Sequence, residues 1–469
     1  ISSIVWISTP GNTGVMALGR VLNGSVNPSG RLVDTYARDF TKDPTWENFG
    51  DNSQTNNGIS NMVAIGSDGN PIKGFDKFGL FGSFYDATKL YNIQYEEGIY
   101  VGYRYYETAY SIKGEEWYKN NVVYPFGYGL SYTSFSQEII SQTPALEGSE
   151  LDKNGDIKIS VKVTNTGNVA GKDVVQLYYS APYSASAPIE KSYVNLAAYD
   201  KTSLLKPGQS ETLTLTIHVQ DMASYDYSDV NKNGHTGYEL EAGDYEIKLM
   251  KNAHEKYDSR KYKVSNTIKY DTDRVTGNKV DNLYDEDSGY SSLPHSDDMK
   301  HTILKRSNMD GTYPHHPDAE NDPEDRCKST STLSQRLNHI FSLDDIKEGD
   351  PRYVSDKQME GKSQVPESTK ESDRKHTYLF KDTVDWDYGD DTKWDTLINE
   401  LKFSEMQSLV TTGLYHIGGI DSIGKPQAVE SDGPACISEV RYASATMIAA
   451  TFNDDLIEKQ GQLLGNEAL

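Results

Sequence analysis

Val122-Val-Tyr-Pro-Phe-Gly-Tyr-Gly-Leu-Ser-Tyr-Thr-Ser-Phe135 cannot form a regular helix. Pro125 has no amide donor and biases Tyr124 towards an extended backbone. Gly127 and Gly129, one residue apart, permit backbone angles that a side chain forbids. Tyr124, Phe126, Tyr128 and Tyr132 crowd rings into the same stretch. Any six of these residues would read as a surface turn with some buried aromatics. Fourteen in a row ask for a more specific explanation.

Working outwards, Tyr95-Glu-Glu-Gly-Ile-Tyr-Val-Gly-Tyr-Arg-Tyr-Tyr-Glu107 lies upstream. It is aromatic and β-branched, alternates weakly, and predicts a strand. Successive strand residues face opposite ways, so Glu96 and Glu97 cannot address one substrate together. Ile4 to Ile7 is a short apolar run and predicts a buried strand. Thr9-Pro-Gly11 turns it, and Val15, Leu18 and Leu22 recur at helical spacing, with Gly24 placed to end the helix. Asn27-Pro-Ser-Gly30 is a turn by composition. The glycines here match no phosphate-loop or dinucleotide pattern. Arg38 to Lys89 is polar and reads as a long surface loop.

Downstream, Ile157, Ile159, Val161 and Val163 alternate with polar residues, as do Leu213, Leu215 and Ile217. Val174 to Tyr179 and Glu241 to Leu249 add further strands. Short strands separated by turn signals predict a β-sandwich. Asn266 to about Lys375 is polar and charged and reads as linker, partly disordered. His315 and His316 within it are adjacent between prolines, a poor metal pair. Trp394, Leu397, Ile398, Leu401, Met406, Leu409 and Val410 then return to helical spacing, with Ser404 as an N-cap candidate.

Bulk properties narrow the partners. The chain has 469 residues with 46 Lys+Arg against 70 Asp+Glu, formally −24. That charge argues against nucleic acid or an anionic membrane surface. Tyrosine is abundant at 33, against 12 Phe and 5 Trp. Tyrosine joins an apolar ring to a polar tip and serves both packing and sugar contact. The two cysteines, Cys327 and Cys436, form neither a metal spacing nor a disulfide framework. No run approaches the roughly 18 apolar residues of a membrane span. The first residues are not a signal peptide and read as mid-domain, which leaves localisation open.

Together, "PG..G..AL..VLNG..NPSGRL" (from Pro10), "Y.EGIYVGYRYYE" (from Tyr95) and "YPFGYGLSYTSF" (from Tyr124) resemble the later part of glycoside hydrolase family 3, best known for β-glucosidases. "VTNTGNVAGKDVVQLYYS", "LLKPGQSETLTLTI" and "LEAGDYEIKL" resemble the fibronectin type III-like domain that follows in that family. The segment from Leu304 to Pro314 is similar to one found between the two halves of family members with reversed domain order. Ser431-Asp-Gly-Pro-Ala435 resembles a segment near the beginning of the family's catalytic TIM barrel.

The resemblance implies a multidomain fold, α/β plus all-β. Residues 1–135 are the later part of an α/β sandwich domain, and 136–265 are a fibronectin type III-like β-sandwich. Residues 266–379 are linker, and 380–469 begin a TIM barrel. This order is similar to the reversed-order β-glucosidases of some anaerobic bacteria. It implies a retaining, exo-acting hydrolase of terminal β-D-glucosyl residues, with a β-glucoside or oligosaccharide substrate and no cofactor or metal. A retaining glycosidase needs two carboxyl groups. On the family pattern neither has a matching position here, so no catalytic residue is assigned and the 469 residues alone are expected to be inactive. The one position carried over is Asp432, which in the family's "DGP" grips sugar hydroxyls. An ionised carboxylate can accept two such bonds. Cys436 stands where the family often has glycine, a departure in the local loop. Two other readings stand beside this one: a non-catalytic carbohydrate-binding or scaffold protein built from family parts, and a β-xylosidase or N-acetylglucosaminidase of the same family. A homo-oligomer is compatible with the sequence.

Overall fold

The computed structural model describes residues 3–47, 95–185, 189–227, 229–280, 303–314, 365–389, 391–411, 416–430, 433–435 and 441–468. The chain forms two compact units, Ile1–Ile340 with Ala445–Gln460, and Phe341–Ser444 with Gly461–Leu469.

In the first unit, α1 (Gly11–Gly14) and α2 (Met16–Leu22) form the expected helical stretch in two pieces. Gly24 ends it with φ +77°, donating its amide to the Val21 carbonyl. The strand expected over Ile4 to Ile7 is not formed. Ile4 is 67 % exposed, and no described strand offers the run a ladder partner. After β1 (Tyr36–Ala37) and α3 (Pro44–Glu47), most of the surface loop read from Arg38 to Lys89 lies outside the described residues.

The stretch from Tyr95 to Glu107 is a turn running into a helix, not a strand. Gly98 and Gly102 take positive φ angles, and α4 (Tyr103–Lys113) begins at once. Tyr105, Tyr106 and Ala109 share the buried face of that helix. Their spacing is helical; the run of aromatic residues suggested strand propensity instead. Glu96 and Glu97 are both buried in the preceding turn. Gly114 separates α4 from α5 (Glu115–Asn121), which leads into β2 (Val122–Tyr124) paired with β1.

The sandwich follows. β3 (Phe135–Thr143), β5 (Asp156–Asn165) and β8 (Ser210–His218) form an antiparallel sheet in the order β3-β5-β8. β4 (Ser149–Glu150), β6 (Val174–Ser180), β7 (Asn195–Lys201), β11 (Gly243–Met250) and β12 (Lys256–Val264) form the other, in the order β4-β12-β11-β6-β7. A small sheet β13-β10-β9 joins Ile268–Tyr270, Gly237–Leu240 and Ser224–Asp226. Ile157, Ile159, Val161 and Val163 of β5 meet Val175, Leu177, Ile247 and Leu249 of the other sheet in one core. Each such side chain contributes roughly 1.5–3 kcal/mol on burial. On the outer face of β5 and β8, hydroxyl pairs such as Ser160–Thr214 replace the apolar contacts.

β6 is buried on both faces, because the stretch from Val122 to Phe135 covers its outside. Gln176 donates Nε2 to the carbonyls of Gly127 and Lys251, and Tyr178 donates to Gln176 Oε1. Tyr103 packs between Phe126 and Tyr178, tilted against the first and edge-to-face with the second. Gly127, at φ +78°, would place a Cβ 2.2 Å from Gln176 Oε1. The turn at Asn27 to Leu32 packs on the same stretch. Asn27 Oδ1 accepts from Ser131 Oγ and the Tyr132 amide, and the Leu32 amide donates to the Tyr128 carbonyl. Arg31 donates to Asp173 at 2.6 Å in a buried ion pair, tying this layer to the sandwich.

A Cβ at Gly129 would lie 2.3 Å from the Gly30 carbonyl oxygen, a backbone atom that cannot swing away. Gly129→Ala should therefore lower stability by about 1–3 kcal/mol, the usual range for overpacking. Urea unfolding with an unchanged midpoint would contradict this close approach.

Two distant segments complete the first unit. Leu304 and Met309 enter the aromatic cluster of Tyr100, Tyr105, Tyr106 and Tyr118. Phe452 packs on Phe126 and Tyr199, and Lys201 donates to the Thr451 and Ser29 carbonyls. Burial, then the neighbouring Arg31 and Lys172, pulls Lys201 down to about 8.

In the second unit, helices Asp391–Asn399 and Phe403–Thr411 close over Leu397, Leu401, Ile420 and Ile423, with Trp386, Trp394, Met406 and Leu409 packed around them. Ile398 and Val410 face out. Ser404 sits inside the second helix rather than capping it. Its hydroxyl and amide both donate to Glu367, and the Glu405 carboxylate takes the Lys402 amide. Arg374 grips Glu405 through both Nη atoms. Burial raises the Glu405 carboxyl, but the hydrogen bonds from Arg374 and Ser422 outweigh it and hold the group down at about 2.

Candidate functional site

The candidate loop hangs from a short ladder in the second unit. β14 (His416–Ile417) pairs antiparallel with β15 (Ala428–Val429). Between them Ile420 and Lys425 exchange two backbone hydrogen bonds around the turn Asp421–Ile423, and Gly424 closes it at φ +68°. A Cβ at Gly419 would sit 3.1 Å from the Lys425 carbonyl oxygen, a tight contact that shows how closely the two arms approach. Lys425 Nζ donates to the Gly418 and Pro426 carbonyls, stitching the arms together. Ile420 and Ile423 bury the turn in the apolar core.

The chain leaves β15 through the exposed Val429 and Glu430. Ser431 and Asp432, the sequence-predicted sugar contact, lie outside the described residues, as do Cys436 and the other cysteine, Cys327. On the far side of Asp432 the chain is placed again. Gly433 takes φ +65°, a left-handed angle that a side chain rarely adopts, and opens the turn Gly433–Ala435. The Pro434 carbonyl accepts the Tyr442 amide at 3.0 Å, and Tyr442 Oη donates to Glu467. Both flanks of Asp432 are thus fixed: a strand exit on one side, a Gly-Pro turn on the other.

A second polar cluster escaped the sequence reading. Glu107 on α4 is 1 % exposed and accepts Tyr118 Oη at 2.5 Å. Its other oxygen lies 3.0 Å from His254 Nδ1, and His254 Nε2 lies 3.3 Å from Glu115. The His254 ring stacks on Tyr118 at 3.8 Å. Burial alone would lower the histidine, but hydrogen bonding and charge from Glu107, then Glu115, raise it. Burial raises Glu107. Glu107 is enclosed, whereas Glu115 lies half-exposed at the rim. Glu107 and His254 stand 147 residues apart, and no local pattern joins them.

Among the described residues no three His, Cys, Asp or Glu side chains gather into a metal-holding group. His315 and His316 lie outside the described residues. No described helix is long and apolar enough to cross a membrane.

Comparison with known proteins joins these parts. The fibronectin type III-like domain family matches residues 173–253, inside the sandwich described above. β-Glucosidase A of Butyrivibrio fibrisolvens is 29 % identical over 490 aligned positions, covering 100 % of this chain and 49 % of that protein. A β-glucosidase of Ruminococcus albus is 34 % identical, over 52 % of this chain and 19 % of its own length. The chain therefore spans half or less of the curated relatives it matches. The crystal structure of a β-glucosidase from Paenibacillus barengoltzii aligns with 97 % of this chain and 40 % of that one, at a TM-score of 0.58 and 24 % identity, a likeness of fold. Motifs, sandwich and relatives converge on one likeness: along its whole length the chain is similar to a β-glucosidase, and it carries a fibronectin type III-like domain.

Proposed function

We propose that these 469 residues are part of a retaining, exo-acting β-glucosidase that removes terminal non-reducing β-D-glucosyl groups, and that Asp432 holds hydroxyls of the sugar being cleaved. The observation that carries this reading is similarity to a β-glucosidase along the whole of this chain, the Asp432 loop included. The geometry around the loop supports it. β15 ends just before the motif, and just after it Gly433 at positive φ opens the turn Gly433–Ala435. An ionised carboxylate between them could accept two sugar O–H groups.

The nucleophile and the acid/base belong, in this reading, to residues other than these 469. No metal or organic cofactor enters the reaction, which runs through two carboxyl groups and water. The beginning of a TIM barrel over 380–469 remains part of the same proposal.

The purified 469-residue chain should show no turnover of an aryl β-glucoside, whereas a longer protein with the flanking family segments should turn it over. Hydrolysis by the 469-residue chain that disappears on mutating one of its own carboxylates would place the chemistry inside it and overturn the assignment.

A further inference from the structure

Between β9 and β10 the chain reads Asp229-Val-Asn-Lys-Asn-Gly-His-Thr-Gly-Tyr-Glu239. Oxygen-bearing side chains fall at Asp229, Asn231 and Asn233, and Gly234 follows. This is the alternation with which an oxygen-rich loop wraps a calcium ion. The loop is not an EF-hand. Strands flank it instead of helices, and its glutamate comes one residue earlier than in a twelve-residue EF-hand loop.

The side chains converge. Asp229 accepts the backbone amides of Asn233 at 2.7 Å and Gly234 at 3.1 Å, which draws the loop round its carboxylate. Asn231 and Asn233 both turn their amides onto the Glu239 carboxylate, at 2.7 and 2.8 Å. Glu239 is 0 % exposed. A fully buried carboxylate facing neutral amides is costly unless further positive charge meets it. Lys191 lies within electrostatic reach of Glu239 and Asp226, but its ammonium pairs with Glu241. With Glu190 also nearby, one lysine thus faces four carboxylates. Lys269, on β13, donates to the Asn233 carbonyl rather than to the carboxylate.

The independent observation is Asn231. Its Oδ1 is sealed from solvent and has no hydrogen-bond partner, although its Nδ2 is bonded to Glu239. Amide oxygen and nitrogen are interchangeable by a half-turn of the side chain. With both asparagines turned over, two amide oxygens face the Glu239 carboxylate, and the Asp229 carboxylate heads the same loop. A hard cation satisfies all of them, the orphaned oxygen included.

We propose that Asp229, Asn231, Asn233 and Glu239 form a calcium-binding loop in the fibronectin type III-like sandwich. The donor set mixes two carboxylates with two amide oxygens, so it differs from a site built of three acidic side chains. This assignment stands independently of the glycosidase reading.

Terbium, a luminescent stand-in for calcium, tests it on the 469-residue chain after treatment with EGTA. Tyr225 and Tyr238, on the flanking strands, can sensitise its emission. A saturable signal is expected, displaced by calcium with a midpoint of about 0.1–1 mM, the range of extracellular calcium modules. Saturating calcium should raise the melting temperature by about 2–4 °C. Asn233→Ala, at an exposed position where the fold tolerates change, should weaken displacement at least tenfold, and Glu239→Gln should do the same or more. A wild-type chain with no calcium-displaceable signal overturns the proposal. Unchanged affinity in Asn233→Ala overturns this location even where Glu239→Gln fails to fold. Equal displacement by magnesium overturns the choice of calcium.

Discussion

Replacing Glu107 with alanine should destabilise the first unit by about 3–5 kcal/mol, the usual cost of removing one member of a buried charged pair. The carboxylate is enclosed between α4, α5 and the loop at His254, and both of its oxygens are bonded. Its loss leaves Tyr118 Oη without its acceptor and His254 without its nearer carboxylate. Glu107→Gln keeps the size and one acceptor, so it should recover part of the loss. Calorimetric or urea unfolding would measure both; a change below about 1 kcal/mol for the alanine variant would show that the cluster is not a clasp.

The same cluster sets a pH dependence. His254 is raised above its ordinary 6.5, so the folded chain holds that proton more tightly than the unfolded chain. Stability from this source is complete below about pH 6.5 and is lost as pH rises through the raised value. Glu107 is raised from 4.5, and a raised carboxyl has the same sign: stability falls as pH climbs above its unfolded value. The two groups therefore reinforce each other. Unfolding free energy should decline as pH rises above 6.5, and His254→Gln should flatten that part of the profile.

The sandwich was legible where one face of a strand is wet. β5 and β8 alternate because water lies on one side and the core on the other, and their inward residues match the expectation. β6 shows no such alternation. Val122 to Phe135 lies over its outer face, so Gln176 and Tyr178 are as buried as Val175 and Leu177. Tyr95 to Glu107 misled for a related reason. Aromatic residues favour strands on average, but here Gly98 and Gly102 break the extended run, and the remaining tyrosines bury one helical face. Ile4 to Ile7 has the composition of a strand and lacks a described partner. The contacts that fix the layers join residues more than a hundred positions apart, as Arg31 to Asp173 and Glu107 to His254 do. Local periodicity carries no information about such pairs. Asp432 was read from the short motif around it alone and lies outside the described residues.

Asp432→Ala, made in a longer protein that turns over aryl β-glucosides, should reduce kcat/KM by about 10²–10⁴-fold. Two charge-assisted hydrogen bonds at about 1.5–3 kcal/mol each sum to roughly 3–6 kcal/mol, and each 1.36 kcal/mol is tenfold in rate. The loop makes the effect specific to the side chain. β15 enters from one side, Gly433 holds φ +65° on the other, and the Pro434 carbonyl is tied to the Tyr442 amide, so removing the carboxylate leaves the backbone frame in place. Asp432→Asn keeps one acceptor without the charge and should fall between alanine and wild type. Glucose titration separates this role from a structural one. A substrate-gripping carboxylate weakens glucose binding in both variants while leaving the melting temperature near that of the wild type. A turn-capping aspartate does the reverse, lowering the melting temperature with glucose affinity intact, and that pattern would remove Asp432 from the sugar site.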